Sequence, residues 1–369
     1  MLNNLKSLEE LDSIKTMWDV VVAGAGPAGA IAALVLAQAG CQVLLIDDIP
    51  THTHKIGESL PGASRQILHN LGLLAHIESG SHLPCYGNAS AWGTDKLTIN
   101  DFINDPRGTG WHLDRVQFDE TLRLEALRAG AVFSKNRVKE VIQHHNTWKI
   151  SGKDCQIYSQ WWIDATGRSA ALAKSQGAIC QKDIPLFAIY RWVATSQDDT
   201  ESRTLIEAAP NGWWYTARLP HQTRVIIFHT NTREATQIQR HPDLWNTYLE
   251  QTKHISQYLN KITYQDSHYI IETGGSYLNQ VAGHQWIATG DAALNFDPIS
   301  SQGIFNALYT GMKAGQTVYS ALKGDLTAIS DYMHRLKTIR NTYYRHHTFI
   351  YQSETRWNNN PFWISRKSL

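Results

Sequence analysis

Residues 19–34, "DVVVAGAGPAGAIAAL", decide the fold. The apolar run Val20–Ala23 predicts a strand, Gly24, Gly26 and Gly29 follow in GxGxxG spacing, and an Ala-rich segment reaching Gly40 predicts a helix. Strand, tight turn and helix are what a dinucleotide requires. Without Cβ atoms in the way, the N–H groups of a helix start can touch a pyrophosphate, and the aligned peptide dipoles favour its negative charge. The next apolar run, "CQVLLIDD", predicts a second strand ending at Asp47, at the spacing of about 20 residues expected of a ribose ligand. A carboxylate there accepts hydrogen bonds from ribose hydroxyls and repels a 2′-phosphate, so FAD or NAD is expected over NADP.

Composition narrows the rest. In 369 residues, 34 Lys and Arg face 33 Asp and Glu, and no long basic run occurs, so nucleic acid is not expected as a partner. Cys41, Cys85, Cys155 and Cys180 are widely spaced and form no CxxC pair; neither a zinc site nor a disulfide framework is expected, and the usage suits a reducing cytoplasm. The opening "MLNNLKSLEELDSIKTM" is acidic and lacks an apolar core, unlike a secretory signal, and reads as a polar helix or arm. No apolar run reaches the ~20 residues of a membrane span. The pairs His52/His54, His144/His145 and His346/His347 lack a metal-ligand context and are expected to be mostly solvated; no metal site is expected.

The spacing of Val116, Phe118, Leu122, Leu124 and Leu127 in residues 114–130 predicts a helix of about four turns. Short β-like runs follow, and from about 186 to 229 four runs separated by turn residues predict an antiparallel sheet. Residues 242–259 read as helix, "WIATGDAA" as a strand returning to the nucleotide unit, and 302–322 and 325–354 as long helices. The fold class is therefore α/β: a Rossmann-like dinucleotide unit (17–84, 105–180 and 281–325) interleaved with an antiparallel substrate sheet (85–104 and 181–280), then a C-terminal helical tail (326–369).

The stretch "WIATGDAALNFDPISSQGIFNALYTG", residues 286–311, discriminates between the dinucleotides. Its strand enters Gly290-Asp291, then Asp297-Pro298, then Gly303 at a helix start. NAD needs no second acid-bearing turn so far along the chain; FAD does, because its ribityl chain and isoalloxazine extend beyond the pyrophosphate. A helix beginning near Gln302 would aim free N–H groups at the ring edge where reduced flavin carries its charge.

With both turns in view, the chain resembles the flavin-dependent monooxygenases of the para-hydroxybenzoate hydroxylase fold, with the tryptophan halogenases and geranylgeranyl reductases related to them. That resemblance implies FAD as cofactor, with Gly24, Gly26, Ala28 and Gly29 at the pyrophosphate, Asp47 at the ribose and Arg115 at the phosphate or ribityl region. It further implies Gly290 and Asp291 at the ribityl hydroxyls, and Pro298, Gly303 and Ile304 against the flavin. "KIGESLPGASRQ" is similar to a signature of the halogenase-like branch, which implies Glu58 and Ser59 near the isoalloxazine and Arg65 facing phosphate; read without it, Ser59 is a helix N-cap. "DATGRSA" matches the family's Asp-Gly turn loosely, through Asp164 and Gly167, and implies a part in shaping the cleft.

Departures sort the chemistry. Halogenases of this type use a lysine beyond the GES-like motif, whereas no Lys stands between Lys55 and Lys96; in place of the tryptophans of their WxWxIP motif stand Tyr215 and Ala217. Halogenation is disfavoured, and hydroxylation through a C4a-hydroperoxyflavin with O2 is expected, the flavin being reduced by NAD(P)H or another donor bound transiently. The tail "YYRHHTFIYQSETRWNNNPFW" resembles flavoproteins encoded beside tryptophylquinone oxidases, which implies a protein substrate, a Trp of a quinone-oxidase precursor. Trp213, Trp214 and Tyr215 are candidates for lining the substrate opening, with sheet packing as the alternative; Trp357, Phe362 and Trp363 are candidates for partner contact or for docking on the body. A free phenol or indole as substrate, a reductase, and a flavin-binding assembly factor without turnover are the rival readings.

Overall fold

The computed structural model describes residues 17–48, 55–153, 156–195, 198–261 and 268–367. The expectations placed on the first sixteen residues, on His52 and His54, and on Cys155 lie outside them.

Met17–Ala23, Val43–Asp47, Val132–Lys135, Gln156–Asp164 and Trp286–Ala288 form the parallel heart of an eight-stranded sheet, with Met17–Ala23 between Gln156–Asp164 and Val43–Asp47. Met17–Ala23, Val43–Asp47 and Trp286–Ala288, largely buried on both faces, read as nearly continuous apolar runs, as parallel strands do. Helix Pro27–Gln38 follows the first strand with proline at its start and is almost entirely apolar. It is covered all round because helix Gly303–Leu322 packs on its far side. Glycines make that approach possible: a Cβ at Gly311 would stand 2.3 Å from the Ala28 carbonyl oxygen, and one at Gly315 would stand 2.9 Å from that of Ala32. Gly290, at a φ of +59°, likewise leaves room for the Ala28 methyl and donates its N–H to Thr310 Oγ1 at 3.0 Å. The two glycine-acid turns, distant in sequence, are thus clamped together by one helix pair.

The second sheet has seven strands in the order Tyr269–Glu272, Phe187–Ala194, Thr223–Thr230, Gly212–Leu219, Thr204–Ala209, Gly87–Ala91 and Thr98–Asp101. It departs from the expected pattern at one pair: Thr204–Ala209 runs parallel to Gly87–Ala91. The two strands are joined through residues 92–203, which carry several strands of the first sheet, rather than by a hairpin, so nothing forces them antiparallel.

Helix Arg115–Arg128 starts on an Asp114 cap that accepts from Gln117 N at 3.0 Å, and it runs for 14 residues as its spacing predicts. The helix expected over 242–259 is broken into Asp243–Glu250 and a 3-10 segment, Ile255–Lys261. The break sits where the Glu207 carboxylate accepts from the N–H groups of Lys253, His254 and Ile255. Helices Thr327–Ser353 and Pro361–Lys367 close the chain. The latter buries Phe362 and Trp363 completely in the core of the second sheet, with Trp363 Nε1 donating to the Ala209 carbonyl at 3.0 Å. These two rings dock on the body and are closed to a partner; Trp357 is half-buried beside them.

Candidate functional site

A cavity of about 520 Å³ separates the two sheets, within the size range of cofactor sites. One end is made by the helix starts Gly26–Ala28 and Gln302–Ile304 with Asp291 and Arg115. The other is the sheet face carrying Tyr190, Trp213, Tyr215, Ile227, His229 and Ile271, and Glu58, Ser59 and Pro298 lie along its walls.

The three glycines of the first turn do different work. A Cβ at Gly24 would meet the Ala165 carbonyl oxygen at 2.1 Å, and one at Gly29 would meet that of Gly24 at 1.8 Å, so both are demanded by packing. Gly26 has φ −70° and ψ −177°, which any residue adopts, and a Cβ there would have nothing within 4 Å. Its missing side chain keeps open a cradle that the protein itself leaves empty. Gly303 is the same at the second helix start. Neither helix has a side-chain cap or an acid in its first turn, so their free N–H groups face the cavity uncompensated. These features fit a dinucleotide pyrophosphate at Gly26 and an electron-rich ring edge at Gln302–Ile304.

Charge follows the same division. Asp291 is partly buried in the cavity wall, with Arg168 Nε 3.8 Å away. Loss of water raises its carboxyl above the ordinary range, against the pull of Arg168 and Arg115. Arg115 donates to the Gly57 and Ile56 carbonyls at 2.6 and 3.1 Å and pairs with buried Asp119, which fixes its head at the cavity edge. Glu58 is buried in the wall and accepts from Tyr215, burial pushing its carboxyl up; Oε2 has no hydrogen-bond partner. Asp297, by contrast, is held low: burial raises it, but the His347 hydrogen bond and the Arg366 charge outweigh that. Tyr351 also donates to Asp297, at 3.0 Å, and accepts from Trp213 Nε1 at 3.1 Å, so the tail helix ties the Asp297-Pro298 loop to the sheet wall.

Several expected site residues lie elsewhere. Trp214 does not line the opening. Alternation along Gly212–Leu219 turns it to the opposite face, where it is fully buried against Phe228 and Trp245. Asp164 is fully buried and spent on backbone: Oδ1 accepts from Thr166 N and Oγ1, and Oδ2 from Leu172 N and Ala173 N, so it shapes the turn and does not reach the cavity, which Gly167 does. Arg65 faces Glu78 and the Thr109 carbonyl and stacks over Trp111, outside the cavity lining. Ser59 caps no helix; it sits in the two-residue strand Ser59–Leu60 paired to His112–Trp111, on the cavity wall. Asp47 stands beside the first turn, its Oδ2 accepting from Ala25 N at 2.6 Å, outside the cavity lining. His347, expected to be solvated, is buried on Asp297.

The sequence reading missed Lys55, Arg168, Tyr190, Ile227, His229 and Ile271 in the lining. The alternation Val225, Ile227, His229 in "TRVIIFHT" held the signal for two of them, but which face turns inward depends on pairing with Trp213 and Tyr215. Among the described lining residues Lys55 is the one lysine, and its Nζ is bound to Asp119 at 2.8 Å. Among the described residues no His, Cys, Asp and Glu cluster able to hold a metal ion occurs, and no helix is long and apolar enough to cross a membrane.

The fold and this cavity define an FAD-dependent oxidoreductase, and the chain belongs to the FAD-binding domain family, whose pattern matches residues 17–325. The chain is 28% identical over 362 residues to the putative FAD-dependent oxidoreductase LodB of Marinomonas mediterranea, covering 95% of this chain and 97% of that one. Among solved structures it is similar to a myxobacterial chondrochloren halogenase (TM-score 0.86, 21% identity, 95% of this chain and 86% of that one). It is also similar to the peptidyl tryptophan dihydroxylase QhpG, essential for tryptophylquinone cofactor biogenesis (TM-score 0.73, 21% identity, 95% and 79%). The fold is similar to that of flavin-dependent halogenases.

Proposed function

We propose that the protein is a flavin monooxygenase that hydroxylates an aromatic residue, a Trp of a partner protein precursor, during tryptophylquinone cofactor maturation. The observation that carries this reading is one continuous cavity joining the Gly26 and Gly303 helix starts to an aromatic wall that offers no free amine. Bound FAD, reduced by NAD(P)H or another donor, supplies the electrons with which O2 is activated.

The chain's own residues do the rest. Gly26, Gly303 and the uncapped helix ends would hold the anionic parts of the cofactor, while Asp291 would accept hydrogen bonds from its ribityl hydroxyls. Trp213, Tyr215 and Tyr190 give an electron-rich ring an apolar surface on which to lie and exclude water from it. Pro298, at the start of a short 3-10 turn capped by Asp297, stiffens the loop between cofactor and wall. Halogenation needs an amine to carry the oxidised halogen, and Lys55 is engaged by Asp119.

Co-expression with a quinone-oxidase precursor tests the proposal. Intact-mass and peptide mass spectrometry should find oxygen added to a tryptophan of the precursor; an unchanged precursor beside flavin-loaded protein contradicts it.

A further inference from the structure

One residue of the aromatic wall carries a hydrogen-bonding capacity that the chain does not use. His229, in strand Thr223–Thr230, is 2% exposed and lines the cavity, its ring stacked on Trp213 at 3.7 Å and 12°. Its Nδ1 is sealed from solvent with no hydrogen-bond partner; Nε2 is not among the sealed atoms and has no hydrogen bond among the described residues, so Nε2 is the nitrogen open to the cavity. Burial pushes the imidazole down to about 3, so it is neutral at physiological pH and holds one N–H and one free lone pair. The nearby ions do not satisfy it. Asp297 gives its oxygens to Ile299, His347 and Tyr351, while Arg366 donates to the Ile184 and Pro185 carbonyls.

A buried imidazole with nothing to bind is costly, and a phenylalanine would fill the same space against Trp213 without that cost. Packing therefore does not account for the residue, whereas a ligand in the cavity does. A neutral imidazole set among Trp213, Tyr215, Tyr190 and Ile227 offers no counter-charge to hold an ammonium or a carboxylate. It suits a flat ring whose edge carries one neutral donor.

We propose that His229 is a specificity residue that accepts a hydrogen bond from the ring N–H of the substrate, so that the cavity selects an indole over a hydrocarbon ring of the same shape. The inference rests on the reading that the aromatic wall receives the substrate, and adds which edge of the ring is read. Fixing the N–H also fixes which ring carbons face the cofactor.

The test compares binding of indole and indene, which share a two-ring outline but differ in the N–H, to FAD-loaded wild type, His229→Phe and His229→Gln. Wild type should bind indole roughly tenfold or more tighter than indene, the scale of one buried hydrogen bond. His229→Phe should bring the two within about twofold without changing FAD affinity, and His229→Gln, which keeps an acceptor, should restore part of the preference. Equal wild-type affinities, no indole binding up to its solubility limit, a preference that survives in His229→Phe, or a loss of FAD in that variant would each overturn the assignment. The outcome is separable from that of the proposed function. Equal binding with the precursor still oxygenated removes the role of His229 alone, whereas a retained preference with an unchanged precursor removes the hydroxylation reading alone.

Discussion

The two faces of the seven-stranded sheet are made by alternate residues of the same strands, yet they are finished in opposite ways. On one face Trp214 lies 4.6 Å from Phe228 and 5.2 Å from Trp245, ring centre to ring centre, and helices Thr232–Arg240 and Asp243–Glu250 seal it with Ile238 and Leu249. On the other, Trp213 and His229 stack just as closely, but the tail residues Tyr351, Phe362 and Trp363 cover only part of the face and the rest ends at the cavity. Equal burial thus has two meanings: one face completes the fold, and the other waits for a ligand.

The hardest blow to the sealed face is Trp214→Ala, which should lower unfolding free energy by about 3–5 kcal/mol in denaturant titration. Trp213→Ala should cost less than half as much, because water can enter the space it vacates from the cavity; equal costs would erase the contrast. The two acids of neighbouring strand ends repeat it. Asp164→Asn puts an amide among four hydrogen bonds that need acceptors and should cost about 1–3 kcal/mol, with little change in FAD affinity among the molecules that fold.

Buried histidines sharpen the comparison through pH. His112 and His229 are pushed down from 6.5 to about 4 and about 3, so the unfolded chain takes up protons that the folded chain refuses. Stability should therefore be full above pH 6.5 and fall as the pH drops from there toward 4, by roughly 1 kcal/mol per histidine over the first pH unit. Thermal melts of His229→Phe should show a shallower acid limb than wild type, and an unchanged limb would contradict the assignment. Asp291→Asn is the mildest change to the fold, within about 0.5 kcal/mol, because its carboxyl is already held above its ordinary range; FAD titration should nonetheless find binding roughly tenfold weaker.

What could be read from the sequence was local. The GxGxxG turn, the Gly290-Asp291 turn and the helix starting beyond Gln302 are set by glycine chemistry and periodicity within short windows, and the structure brings them together. What escaped depended on pairing. Trp213 could not be told from Trp214 until helices Thr232–Arg240 and Asp243–Glu250 were seen to close over Trp214 while the cavity opens beside Trp213. Asp164 looked like part of the cleft because the helix whose N–H groups consume it begins several residues later, at Ala171. His347 looked like half of a solvated pair because Asp297, its partner, lies 50 residues away in the chain. Arg65 is held outside the cavity by Glu78 and Trp111, contacts that no spacing announces.

Gly26 tests the central claim most directly, since neither its backbone angles nor any neighbouring atom requires glycine there. Fluorescence titration of FAD into wild type and a Gly26→Val variant of matched melting temperature should give one FAD per chain for the former and none for the latter. If the variant binds FAD as wild type does, or if wild type takes up no FAD, the cavity beside this turn is not the flavin site.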